Sequence, residues 1–301
     1  MKILTALITF NRLELLKRCV KSIKNQTIKH NDILVINNSS TDGTEDFLKN
    51  LDLNYITQPN LGSASGWYKC IEYAIENNYD YIWLMDDDGY PEFNSLEKLI
   101  DAHALKKNLV CVSSVLLNEK NKNQLVFPLP ILNKNGEPVI FKNKRKFYFL
   151  DELISQGFLY YPYVQLFNGS LISVETLKNL GNVEKNYFIF GEEVDFFWRM
   201  KKFGDVETRL DAYHYHPRVD KRKYTNLKIY YYIKNSIINN YKHLSNVQLR
   251  NILSLVVILF RVYKRNSLNE SISLLLGSKN KLFYKALFRG YKKIPYIDHD
   301  L

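Results

Sequence analysis

Tyr81-Ile82-Trp83-Leu84-Met85-Asp86-Asp87-Asp88-Gly89 is the stretch that decides the fold, because an apolar run leads straight into three consecutive carboxylates. The apolar part reads as a strand buried on both faces, as strands in a helix-covered parallel sheet are. Ligands of open parallel sheets bind beyond the carboxyl ends of the strands, and the Asp triplet stands at such an end. Adjacent anions beside a buried strand repel one another and call for a compensating cation. Hard oxygen ligands suit Mg²⁺ or Mn²⁺. An acidic turn open to water is the plainer alternative; position and charge density favour the metal site.

The flanking sequence supplies the rest of such a sheet. Residues 2–10 are an apolar, β-branched run, Leu13, Leu16, Val20 and Ile23 recur at helical spacing, and Ile33–Ile36 is a second strand. Thr41-Asp42-Gly43-Thr44 opens a second helix, Tyr55-Ile56 is a short third strand, and Gly62–Gly66 leads into a helix over 67–76. Strands alternating with helices predict an α/β fold, a mostly parallel sheet flanked by helices. From 120 to 163, Pro128, Pro130, Gly136, Pro138 and a Lys/Asn-rich stretch predict an irregular insertion or small hairpin. Strands and helices return over 164–216. Residues 225–295 read as helical, with Tyr230, Ile233, Ile237 and Tyr241 on one face. The expected division is a catalytic domain over 1–220 and a helical appendage over 221–301.

Charge divides the chain the same way. The 301 residues carry a formal net charge of +11, but 220–301 hold 16 Lys/Arg against 4 Asp/Glu, while 1–219 hold 26 against 27. Such a basic appendage suits an anionic partner, an acidic membrane surface or nucleic acid. Without a recognised nucleic-acid motif, nucleic acid is not expected. Cys19, Cys70 and Cys111 form no C-x-x-C pair, which argues against a disulfide framework or zinc cluster and fits a reducing cytosol. The apolar start continues into Asn11-Arg12 and Glu14 without a small-residue cleavage site, so it reads as a buried first strand. Ile252–Phe260, the longest uncharged apolar stretch near the other end, is about half a bilayer span.

A metal held by one or two carboxylates completes its shell with phosphate oxygens, which points to a nucleotide diphosphate. No G-x-x-x-x-G-K-[ST] is present, and the first strand ends in Thr9-Phe10-Asn11-Arg12, not in a Gly-rich turn. This excludes a P-loop and argues against a dinucleotide site. Other strand ends offer Asn37-Asn38-Ser39-Ser40 and Asn60-Leu61-Gly62 instead, amides that can read a base edge and small residues that let backbone N–H groups approach a ligand.

Together, Leu7-Ile-Thr-Phe-Asn-Arg12, Val35-Ile-Asn-Asn-Ser-Ser-Thr-Asp-Gly-Thr44, Asn60-Leu-Gly62 and the Asp triplet resemble the family-2 nucleotide-sugar glycosyltransferases of GT-A fold over residues 1–220. The resemblance implies donor binding by Thr9, Asn11, Arg12, Asn37, Asn38, Asp42, Asn60, Gly62, Trp67 and Asp87. It implies a divalent metal, Mn²⁺ or Mg²⁺, on Asp86 and Asp88. Many members have Asp where Asn37 stands, so the uracil-facing contact loses its charge assistance.

Transfer also needs a carboxylate base for the acceptor hydroxyl. Gly191-Glu192-Glu193-Val194-Asp195 looks like the family's acidic motif and puts the base on Glu192 or Glu193; a simple N-terminal charge cluster is the alternative. Ala212-Tyr213-His214-Tyr215-His216 sets two imidazoles on one strand face. By resemblance His216 completes the metal shell, which leans toward Mn²⁺. His214, Asn168, Gly169, Asp195 and Arg199 are assigned to the acceptor or phosphates. Gly66-Trp67, the Asp triplet, the Gly-Glu-Glu-Val-Asp segment and Tyr230-Tyr-Tyr-Ile-Lys-Asn235 are nearest the branch holding bacterial galactofuranosyl- and rhamnosyltransferases. This implies an inverting transferase for surface polysaccharide, with UDP-galactofuranose or dTDP-rhamnose as candidate donors and a glycan or lipid-linked glycan as acceptor. Lys221-Arg-Lys223, Arg261, Lys264-Arg265 and Lys292-Lys293 would then attach the enzyme to the inner face of the cell membrane. A nucleotide- or carbohydrate-binding protein without turnover is the competing class. Nucleotidyl transfer would need a Gly-rich basic loop after the first strand, which Thr9–Arg12 is not.

Overall fold

The computed structural model describes residues 1–28, 32–217 and 223–298. It separates into two units, the first comprising Met1–Leu61, Gly66–Val183 and Arg199–Val219, the second Gly62–Ser65, Glu184–Trp198 and Asp220–Leu301. In chain order the elements are β1 (Ile3–Thr9), α1 (Leu13–Lys24), β2 (Asp32–Asn37), α2 (Thr44–Lys49), β3 (Asn54–Thr57), α3 (Ser63–Glu76), β4 (Tyr81–Asp86) and β5 (Tyr90–Pro91). They continue as α4 (Ser95–Leu105), β6 (Leu109–Asn118), β7 (Asn121–Pro130), β8 (Lys146–Phe149), α5 (Leu150–Ile154), β9 (Tyr160–Tyr161), β10 (Asn168–Ser173) and α6 (Val174–Leu180). The last are α7 (Glu192–Met200), β11 (Asp205–His216), α8 (Asn226–His243), α9 (Val247–Arg265), α10 (Leu268–Leu276) and α11 (Asn280–Tyr291).

The main path of the sheet runs β3-β2-β1-β4-β10-β6-β11-β5. β1 pairs in parallel with β2 and β4, β2 with β3, and β6 with β11. β10 lies antiparallel between β4 and β6. It therefore begins where β4 ends, with Asn168 opposite Met85. The carboxyl ends of β1, β4 and β11 and the start of β10 thus fall on one edge of the sheet, where a ligand-binding crevice is expected. Apolar side chains from β1, β2, β4 and β6 meet α1 and α4 in one core, which includes Leu7, Leu16, Val20, Val35, Trp83, Leu99 and Val112. The Asp triplet begins at the end of a strand whose middle four residues are buried.

Of the two forms expected for residues 120–163, an irregular insertion or a small hairpin, the paired strands match the hairpin. β7 pairs antiparallel with both β6 and β8. Leu125, Leu129, Phe147, Leu150, Leu153 and Tyr161 form a second apolar cluster there. Pro128 and Pro130 sit within β7, and the Lys/Asn-rich residues occupy the turn between the paired strands. Burial, not local propensity, decided this element.

In the second unit, α8–α11 surround their own core of Ile229, Tyr230, Ile233, Ile237, Ile258, Val262 and Phe283. The expected apolar face of α8 is confirmed by Tyr230, Ile233 and Ile237, each almost fully buried. Lys234 is fully buried too, and its ammonium donates to Tyr296 O at 2.6 Å and Asp298 Oδ2 at 3.0 Å. With a 2.6 Å bond from Tyr230 Oη to the same carboxylate oxygen, this pins Tyr296–Asp298 onto α8. A buried ammonium without that partner would carry a large desolvation cost.

Candidate active site

The cation demanded by the Asp triplet is supplied by the chain itself. Arg12, just past β1, places Nη1 3.0 Å from Asp87 Oδ1 and 2.7 Å from Asp88 Oδ2. Asp87 is buried and also accepts from Thr9 Oγ1 at 2.7 Å. Asp88 Oδ1 meets His216 Nε2 at 3.0 Å. His216 Nδ1 faces Pro217 O at 2.5 Å, so that nitrogen carries a proton, and the ring edge packs against Phe127. Arg18, which sequence reasoning did not single out, donates from Nη2 to Asp88 O at 2.9 Å and pairs with Glu119 at 2.8 Å.

These environments push the carboxyls apart. Burial, then the charges of Asp88 and Asp87, raise Asp86 well above the carboxylate range. Burial also raises Asp87, to about 6, against the pull of Arg12 and Thr9. Burial works the same way on Asp88, but the His216 hydrogen bond and charge, with Arg12, bring it below its ordinary value. The His216 ring is raised, its burial outweighed by Asp88. Asp88 and His216 are the joined pair. Among the described residues no group of three His, Cys, Asp or Glu is gathered for a metal, so Asp86 does not complete the expected trio.

His214, expected at the acceptor or phosphates, lies inside the fold. It is fully buried, both ring nitrogens lack partners, and burial holds the ring neutral, at about 3. The ring is slotted between Gly89, where a Cβ would overlap Nε2, and Gly169, where a Cβ would lie 3.0 Å from Nδ1. Gly169 has φ +86° at an irregularity in the β10–β4 register. His214 thus spaces the Asp turn from β10. Asn168 is buried beside it, with Nδ2 on Leu166 O at 3.2 Å and Oδ1 unpartnered.

The expected donor residues mostly brace one another. Asn37 Nδ2 donates to Thr57 Oγ1 at 3.3 Å and Oδ1 accepts from Ser40 N at 3.0 Å. Asn38 Oδ1 accepts from Gln58 Nε2 at 2.9 Å. Asn11 has φ +53°, and its Oδ1 accepts from Thr41 N at 2.7 Å. Asp42 accepts from Leu13 N at 2.9 Å and Thr44 Oγ1 at 2.6 Å, tying α1 to α2. Asn60 is exposed. Trp67, expected at the donor, is buried and stacks on Phe167 with ring centroids 4.3 Å apart. Arg199 donates to Asn182 O at 2.9 Å, near the end of α6.

In the second unit, Glu192 and Glu193 differ. Glu193 Oε2 caps Gly191 N at 2.9 Å. Glu192 is buried, Oε1 accepts from Ser63 Oγ, and Oε2 has no partner. Burial, then the charge of Glu193, raise the Glu192 carboxyl well above its usual range, while the Ser63 hydroxyl draws it down. Asp195, expected at the acceptor or phosphates, is buried, lies 2.9 Å from His243 Nε2 in a hydrogen bond and pairs with Lys242 at 3.4 Å; it holds the base of α7.

Residues 6–154 match the family model for Glycosyl transferase family 2. Over that stretch, just under half of the chain, the sequence is similar to glycosyltransferase family 2. The chain is 27% identical over 214 residues to Galactofuranosyltransferase GlfT1 of Mycolicibacterium smegmatis, covering 70% of this chain and 69% of that protein. It is 31% identical over 161 residues to the Mycobacterium tuberculosis GlfT1, but spans only 49% of that relative's length. Among solved structures, Staphylococcus aureus TarS 1–349 in complex with UDP superposes with TM-score 0.60 at 14% identity, over 98% of this chain and 81% of TarS. GalNAc-T7 with UDP, GalNAc and Mn²⁺ gives 0.56 at 11% identity, over 79% of this chain and 48% of that one. At these identities the structures establish the GT-A fold alone.

Gly89→Ala should displace His214 and lower stability by about 1–3 kcal/mol, the usual penalty of overpacking. Urea unfolding of the two proteins checks this; equal midpoints would disprove the slot.

Proposed function

We propose that this chain is an inverting, metal-dependent transferase that moves a sugar from a UDP-sugar to a hydroxyl of a glycan or lipid-linked glycan in bacterial surface polysaccharide synthesis. The observation that carries the reading is the Asp88–His216 pair at a strand-end edge, flanked by Arg12. It is supported by the likeness to galactofuranosyltransferases, which makes UDP-galactofuranose the first donor to try.

The pair suits a divalent cation. With the proton on His216 Nδ1 held toward Pro217 O, Nε2 can present its lone pair once the ring loses its second proton, beside a hard Asp88 oxygen. Asp88 and His216 would hold Mn²⁺ or Mg²⁺, with Asp86 and Asp87 adding negative charge. When bound, the ion would neutralise charge on the departing diphosphate. Arg12 would turn toward phosphate oxygens as it gives up Asp88.

In the reaction a bond forms between the acceptor oxygen and sugar C1 while the C1–O bond to the diphosphate breaks, and its electron pair leaves with UDP. The hydroxyl proton goes to a carboxylate, which we assign to Glu192. Glu193 is already committed to capping Gly191.

We further place the enzyme at the cytoplasmic face of the membrane. No helix among the described residues is long and apolar enough to cross a bilayer. On α9, however, Ile252, Val256 and Phe260 recur every fourth residue and are each more than half exposed. Between residues 247 and 291, eight Lys/Arg accompany one acid, Glu270. Like charge disfavours a second copy on this face, whereas anionic lipid satisfies both its charge and its apolar stripe. Lys221 and Arg222, expected to share this role, lie outside the described residues.

Three outcomes test the reading. UDP with Mn²⁺ should raise the unfolding temperature of the wild type and EDTA should abolish the rise, with Asp88→Asn losing it too; a ligand at 100 times its dissociation constant adds about 2.7 kcal/mol. Glu192→Gln should lower kcat about 10²–10⁴-fold, the usual worth of a general base, and Glu193→Gln far less. Vesicles of phosphatidylcholine with phosphatidylglycerol should sediment the wild type, and those of phosphatidylcholine alone should not. The double substitution Val256→Glu, Phe260→Glu should release it; cosedimentation unaffected by that change would refute the α9 face.

A further inference from the structure

We infer that Asn235 and Asn239 of α8, with Ser63 at the start of α3, are positioning residues that fix the Glu192 carboxylate so that Oε2 is the oxygen receiving the acceptor proton; the inference rests on the base assignment above. The backbone entering α7 is strained. Phe188, Phe190 and Gly191 all have positive φ, at 64°, 60° and 101°. Each non-glycine residue in this region costs on the order of 1–3 kcal/mol and persists only where the surroundings enforce it.

The enforcement comes from α8. Asn235 Nδ2 lies 3.0 Å from Tyr187 O, 3.0 Å from Ile189 O and 2.6 Å from Phe190 O. With two hydrogens to give, that amide is saturated by the loop it gathers. One turn on, Asn239 Nδ2 donates to Gly191 O at 2.8 Å and Oδ1 accepts from Tyr187 Oη at 2.6 Å. Another turn on, His243 pairs with Asp195 in α7 itself. Residues 235, 239 and 243 recur every fourth position, so one face of α8 addresses one loop. Both asparagines are buried, where an unpaired amide is costly, so removing the loop contacts would strand them.

The other side of the loop is closed by residues 62–64. Ala64 N donates to Phe188 O at 3.4 Å, and a Cβ at Gly62 would overlap that same oxygen. Ser63, the next residue, reaches Glu192 Oε1. One carboxylate oxygen is therefore anchored and the other is buried without a donor. A buried acceptor left open where its twin is satisfied is matched to a donor that arrives from outside.

The test measures UDP release from UDP-galactofuranose by the full chain, with kcat, donor KM and the pH profile recorded. Because the Ser63 hydroxyl stabilises the ionised carboxylate, Ser63→Ala should move the acid limb of kcat to higher pH, and Ser63→Thr should restore it. Asn239→Ala should lower kcat at least tenfold with donor KM within twofold. Should Asn239→Ala fail to fold, the Ser63 pair alone decides. Wild-type kcat and pH profile in Ser63→Ala, with Glu192→Gln inactive, would overturn the positioning role and leave the base assignment standing. Wild-type turnover in Glu192→Gln would overturn the base assignment and this inference with it.

Discussion

Carboxylate crowding at the end of β4 is the constraint around which the first unit is arranged. Asp86 ends a strand with no exposed apolar residue, Asp87 and Asp88 follow it, and ionised carboxylates at that depth are costly unless countered. Arg12 from the end of β1, Thr9 from its last residue and His216 from the last residue of β11 all converge to counter them. Strands far apart in the chain end at the same edge. The charges that make the site expensive to build are those a divalent ion and a diphosphate can use.

The second unit solves a different problem. The Glu192 carboxylate is held in place through one oxygen while the other is buried without a partner. Backbone strain at Phe188 and Phe190, buried amides on α8 and a single serine hydroxyl accomplish this around Glu192. The elevated affinity of Glu192 for a proton comes first from its burial and next from Glu193. The helices that look from their composition like a basic appendage therefore also carry polar groups that shape the acidic turn.

Much of this was legible in the chain. The parallel sheet follows from apolar runs alternating with helical spacing, and the strand-end placement of the Asp triplet follows from β4 being apolar throughout. The need for a cation was legible as well, although the structure shows Arg12 filling it. The stacking of Trp67 on Phe167 was not legible, because the two rings are a hundred residues apart in the chain. His214 and His216 share a strand face by spacing, yet two glycines lock one ring into the interior while the other meets Asp88. Asn235 belonged to a run noted for resemblance, but no local rule says that an asparagine on a helix will gather three carbonyls of a loop over forty residues earlier.

The sequence by itself determined what periodicity and local chemistry encode: the α/β class, the acidic strand end, the concentration of positive charge after residue 220 and the resemblance to a family carried by its motifs. Tertiary structure alone decided what long-range packing encodes. It decided for paired strands β7 and β8 where prolines and polar residues left an irregular insertion or a small hairpin open, and it grouped residues 62–65 and 184–198 with the C-terminal helices. It also distinguished Glu192 from Glu193. The two are chemically alike and adjacent in the chain; their difference lies in which neighbours occupy their oxygens, and those neighbours are brought by the fold.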